Sequence, residues 1–142
     1  MVLVIAAIHL LMACTTPEQH ERDKLTDLIE ARVKLPKGAR LLADYARSYA
    51  FDDNGLVVGV YAPGYVAPNP EDKCEEMLED FTSRDIPCPL ESDGNRLRSG
   101  QRQWVDNINK LPAISDGGCS VLTVLFDVKR GVVKDTFCNG EA

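Results

Sequence analysis

The sequence predicts an α+β domain in which an antiparallel sheet of two β-hairpins packs with about three helices. Two pairs of strand-like apolar runs flank the turn signals Asp52-Asp53-Asn54-Gly55 and Asp127-Val128-Lys129-Arg130-Gly131. Three other stretches carry apolar residues at helical spacing behind capping residues. The chain has 142 residues, 44% of them hydrophobic and 27% charged, a size and composition suited to one core rather than two.

Thr16-Pro17-Glu18-Gln19 offers an N-cap, a first-turn proline and a capping-box glutamine ahead of Leu25, Leu28, Ile29 and Val33 on one helical face. The first helix should therefore run to about Lys34, where Pro36 and Gly38 stop it. Residues 41–51 and 56–61 read as a hairpin whose tight turn draws its positive φ angles from Asn54-Gly55. That register sets Tyr49 against Val60 and Phe51 against Val58. Tyr45, Tyr49, Phe51, Val58 and Val60 then share an aromatic core face, and Ala46, Ala50, Val57, Gly59 and Tyr61 share a small-residue face that sits under a helix or opens to a ligand.

Residues 63–70 read as a linker, and Asn69-Pro70-Glu71-Asp72 as the start of a second helix with Cys74, Met77, Leu78 and Phe81 at i, i+3, i+4 and i+7. Residues 82–98 read as a long loop. A third helix is expected over 100–110, behind Ser99, burying Trp104, Val105, Ile108 and Leu111 before Pro112 ends it. Residues 119–126 and 132–138 form the second hairpin, with glycine at a bulge position and Phe126 expected opposite Gly131. Val121, Leu122, Val124, Leu125 and Phe126 are apolar on both faces, which marks an interior strand.

Residues 1–13 contain one polar side chain, His9, and no charge, and the composition then turns polar. As a helix this run covers about 20 Å against the roughly 30 Å of a bilayer core, so it fits the apolar region of a secretory signal rather than a span. At the turnover stands Leu11-Met12-Ala13-Cys14, which resembles the lipobox of bacterial lipoprotein precursors. The resemblance implies removal of residues 1–13, acylation of Cys14, and a single domain over 14–142 held to a membrane by lipid, each buried methylene adding about 0.8 kcal/mol. Thr15 in place of Asp after the cysteine implies, by the same resemblance, the outer membrane facing the periplasm.

Cysteine parity agrees with export. Of five cysteines, setting Cys14 aside for lipid leaves Cys74, Cys88, Cys119 and Cys138, an even number of the kind that persists as disulfides in an oxidising compartment. Four cysteines allow three connectivities, and the expected one is Cys74 with Cys88 and Cys119 with Cys138, the second pair directly opposed across its hairpin. Zinc is disfavoured because no C-x-x-C pair is present, and neither Asp52-Asp53-Asn54-Gly55 nor Glu91-Ser92-Asp93-Gly94-Asn95 has the spacing of a calcium loop. No cofactor is expected.

The net charge of −6 has the wrong sign for a nucleic-acid binder. It is local: residues 71–93 hold nine carboxylates against Lys73 and Arg84. Glu75, Glu76, Glu79 and Asp80, expected on the flanks and outer surface of the second helix, make a possible docking surface for a basic protein partner, or simply a solvated face. Nucleophilic catalysis usually needs a base, and beyond the apolar run only His20 remains. Ser115-Asp116-Gly117-Gly118 carries successive glycine amides, a pattern that also forms anion-binding nests. The function expected is that of a non-catalytic binding or structural module, with a small periplasmic inhibitor of a basic enzyme, or a carboxylate-dependent envelope hydrolase, as the alternatives.

Overall fold

A computed structural model describes residues 16–67, 69, 71–88 and 96–140. Among these residues there are one α-helix and two sheets, so strands dominate and the expected packing with about three helices is corrected. The helix, α1, spans Pro17–Arg32, with the Thr16 hydroxyl accepting from the Gln19 N–H at 3.2 Å. It ends slightly earlier than expected because Val33 is already extended at φ −65°, ψ 133°.

Five strands, β1 (Tyr45–Phe51), β2 (Leu56–Pro63), β5 (Arg102–Trp104), β6 (Gly118–Asp127) and β7 (Val132–Asn139), make the main sheet in the order β5-β1-β2-β6-β7. β5 runs parallel to β1, and the other pairs are antiparallel. β6 lies between two partners, as its apolar run on both faces requires. A separate two-stranded sheet joins β3 (Lys73–Met77) to β4 (Ser83–Pro87).

The first hairpin forms, but one residue out of the expected register. Tyr49 pairs with Gly59, Ala50 with Val58 and Phe51 with Val57. The Asp52 N–H donates to Leu56 O at 2.9 Å, so the loop has three residues, Asp53, Asn54 and Gly55, and only Gly55 takes a positive φ, 78°. A two-residue turn would have needed it at Asn54 as well. The slip exchanges the two faces of β2. Tyr45, Tyr49, Val57 and Tyr61 now pack together under Ile29 of α1 with Leu122, Val124 and Phe126, while Ala50, Val60, Ala62, Val121 and Leu111 pack on the opposite side.

The second expected helix is the β3–β4 hairpin. As a helix it would have set Glu75 by Glu79 and Glu76 by Asp80 at i, i+4, four like charges in two repulsive pairs. As a hairpin it places Arg84 opposite Glu76, with Nη2 at 2.6 Å from the carboxylate, and brings Lys73 within 3.6 Å of Asp85. The third expected helix is also extended. Strand β1 has buried backbone on its outer side, and the incoming segment satisfies it: Arg47 N–H donates to Gln101 O at 3.0 Å and Val105 N–H to Tyr49 O at 2.9 Å. What remains helical is one 3₁₀ turn, Ile108–Lys110, capped by the Asn107 side chain.

In the second hairpin Phe126 pairs with Val133 and Asp127 with Val132, across the four-residue loop 128–131 with Gly131 at φ 65°. Gly131 therefore lies in the loop and does not face Phe126 as expected. Cys138 faces Leu122, and the register breaks between there and Gly118. The bulge over 119–121, turned by the Ser120 N–H bond to Gly117 O at 3.1 Å, brings Cys119 back to Cys138.

Candidate functional site

All four cysteines among the described residues are paired. Cys74 is bonded to Cys88 with α-carbons 4.8 Å apart, and Cys119 to Cys138 at 4.5 Å. The first bond closes the base of the β3–β4 hairpin; the second ties the bulged start of β6 to the end of β7. Cys14 lies outside the described residues, as do Glu91 and Asp93 of the acidic stretch. Among the described residues no helix is long and apolar enough to cross a membrane, and no three His, Cys, Asp or Glu side chains gather as metal ligands would.

The four acidic residues singled out from sequence sit on the β3–β4 hairpin, not on a helix, and do not act alike. Glu76 is engaged by Arg84. Glu75 stands opposite Asp85 across the pair of strands. Glu79 and Asp80 are in the exposed loop, where the Thr82 hydroxyl donates to Asp80 at 2.6 Å and the Thr82 N–H at 3.0 Å. These bonds hold the Asp80 carboxyl below its ordinary range. Around them the hairpin exposes Met77, Leu78 and Phe81, whereas the helix expected from their spacing would turn them inward.

The small-residue face of the main sheet consists of Ala46, Ser48, Ala50 and Ala62, with Val58 and Val60 in place of Val57, Gly59 and Tyr61. Short side chains there, with the 96–114 segment arching over them, leave a cavity of about 380 Å³ lined by Ala46, Ser48, Ala62, Tyr65, Gln103 and Ile114 among others. Gln103 Nε2 donates to Ser48 Oγ at 3.1 Å, and the Arg96 guanidinium stacks over Tyr65 with its carbon 5.3 Å from the ring centre. Ser115-Asp116-Gly117-Gly118 is a turn at the foot of β6: a β-carbon at Gly117 would come within 2.5 Å of the Val121 side chain, and Asn139 Nδ2 donates to Ile114 O.

On the other face a charged cluster not expected from the sequence lies inside the helix–sheet contact. Glu30 of α1 accepts from the Tyr49 hydroxyl at 2.8 Å and lies 3.2 Å from Arg47 Nε and 3.6 Å from Arg102 Nη1. Arg47 is buried, and its terminal nitrogens donate to Leu42 O and Gly100 O at 3.2 and 2.7 Å. Tyr49 and Tyr61 meet at 3.1 Å between hydroxyls. Burial pushes the Tyr61 hydroxyl up to about 12; burial, with Tyr61 and Glu30 beside it, pushes Tyr49 further. Beside this cluster Trp104 Nε1 donates to Thr26 Oγ1 at 2.8 Å, and Thr26 Oγ1 to Arg22 O at 2.9 Å. Each charge here has a partner within the fold, so the cluster locks α1 onto β1 and β5. The only signals in the sequence are charges on otherwise apolar strand and helix faces.

Comparison with protein-family models, with curated proteins and with solved structures finds nothing that matches this chain.

Proposed function

We propose that this chain is a lipoprotein of the bacterial envelope, anchored through Cys14 at the outer membrane and facing the periplasm, whose one domain is a non-catalytic binding module. The observation that carries the reading is Leu11-Met12-Ala13-Cys14 at the end of an uncharged apolar run. It is supported by the bonding of the other four cysteines into two disulfides, which persist in oxidising compartments. The binding part rests on the surfaces the fold exposes, a cavity over small side chains and an acidic hairpin with apolar residues at its tip. A second reading, an inhibitor of a basic enzyme, is favoured by that same hairpin, because a disulfide-closed acidic loop suits a cationic target.

Metabolic labelling with radioactive palmitate in the native host tests the anchor. The wild-type chain is expected to take up label and the Cys14→Ser chain to lose it. Label retained by Cys14→Ser, or absent from both, refutes the assignment.

A further inference from the structure

Two hairpins of this chain turn through the same three-residue loop and fill its last position differently. In the first, Asp52 N–H donates to Leu56 O at 2.9 Å and Gly55 N–H to Asp52 O at 3.1 Å, with Gly55 at φ 78°. In the β3–β4 hairpin, Leu78 N–H donates to Thr82 O at 2.8 Å and Phe81 N–H to Leu78 O at 3.0 Å, with Phe81 at φ 62°. That position suits glycine, and a bulky residue there is strained. The ring of Phe81 does not offset the strain by burial, since the residue is 89% exposed, and Met77 of the same tip is 71% exposed.

Charge restricts what could cover these side chains. Residues 71–88 carry seven carboxylates and two cations, and both cations are engaged within the hairpin, Arg84 by Glu76 and Lys73 by Asp85. An apolar tip that enters an anionic bilayer is flanked by Lys and Arg, the reverse of what is found here. A protein surface with an apolar cleft set among cations fits both properties, because an aromatic anchor in a desolvated pocket supplies affinity and surrounding opposite charge supplies rate and selectivity.

We propose that the tip of the β3–β4 hairpin is the docking element for a basic protein, Phe81 and Met77 entering an apolar cleft and Glu75, Glu79 and Asp80 meeting Lys or Arg side chains around it. The proposal rests on the binding-module reading and is independent of the anchor. The disulfide at the hairpin base holds the loop in shape before contact, which lowers the ordering cost of binding.

Photocrosslinking in intact cells of the native host tests it, with p-benzoylphenylalanine replacing Phe81 in the full chain and, as control, replacing Phe137 on the edge strand β7, another exposed aromatic position. The expected result is an adduct from position 81 alone, to one protein of net positive charge, whose yield falls tenfold or more in the Glu75→Lys, Glu79→Lys, Asp80→Lys chain. The milder Phe81→Ser chain, immobilised beside wild type, should fail to retain that protein while keeping both disulfides on peptide mapping. No adduct, an adduct to lipid, an adduct to an acidic protein, or a yield indifferent to the charge reversal overturns the proposal. Palmitate uptake scored in the same cells keeps the readings apart: a labelled chain without a protein adduct refutes the docking and spares the anchor, and an adduct from an unlabelled chain does the reverse.

Discussion

Replacing Phe81 by asparagine is expected to strengthen the hairpin that carries it. A residue with a β-carbon in the left-handed region costs about 1–2 kcal/mol, and Phe81 sits there at φ 62°. Against this, fully burying a phenylalanine is worth about 1.5–3 kcal/mol. With 89% of the residue exposed, only about 0.3 kcal/mol of that is at stake by the same area bookkeeping. Asparagine tolerates the left-handed region and does not add the unfolded-state freedom of glycine, so the net gain should be about 1 kcal/mol, roughly fivefold in the local opening equilibrium. Hydrogen exchange at the Leu78 amide, which closes the loop onto Thr82 O, reads that opening directly after correction for intrinsic rates. Exchange should slow about fivefold in Phe81→Asn, less in Phe81→Gly because of its backbone entropy, and scarcely at all in Phe81→Ala, whose β-carbon keeps most of the strain. Unchanged or faster exchange in the asparagine variant, or equal protection from alanine, would show that the aromatic side chain stabilises the tip and that the strain argument is wrong.

Glu30→Ala should destabilise the fold by about 3–5 kcal/mol in urea unfolding, because it leaves the buried Arg47 guanidinium without its counter-charge; a loss under 1 kcal/mol would show that the cluster is solvated. Alkali should act through the two buried tyrosines. Their folded pKa values lie above the ordinary 10, Tyr61 at about 12 and Tyr49 higher, so the unfolded chain releases their protons first. Their contribution to stability is then fully present below pH 10 and is lost as pH rises from 10 through 12, at up to about 1.4 kcal/mol per pH unit for each. Equal urea midpoints at pH 9 and pH 11 would contradict this.

Features decided by neighbouring residues were legible in the sequence. The Thr16 cap and Pro17 start α1 where their chemistry requires, and Ile29 faces the core. The cysteine pairing was also legible, although the opposed register offered as its reason is replaced by a bulge. What failed depended on distant partners. Asp52-Asp53-Asn54-Gly55 fits a two- or a three-residue loop, and the difference of one residue inverts β2. The spacing of Cys74, Met77, Leu78 and Phe81 satisfies a helix, yet Met77, Leu78 and Phe81 are exposed, while Arg84 and the Cys88 bond favour the extended form. Arg102 and Trp104 are drawn into a strand by Asp27, Thr26 and the open side of β1, none of which is nearby in sequence. Of the acidic hairpin the composition is legible in the sequence and the geometry is not: Glu76 is neutralised by Arg84, and Met77, Leu78 and Phe81, whose spacing suits a buried helical stripe, are exposed.

The placement of β6 between β2 and β7 also fixes an order of assembly. β1 and β2 can zip locally, but the tyrosine face they create is completed only when Val57 meets Phe126 and Tyr61 meets Leu122, contacts that close a long loop and are slow to form for that reason. A chain delivered from its N-terminus therefore holds α1, the first hairpin and the stapled acidic hairpin in waiting until Gly118–Asp127 arrives. Through that interval Tyr45, Tyr49 and Tyr61 stand open to misassociation, and the β6–β7 hairpin decides how quickly the vulnerability ends.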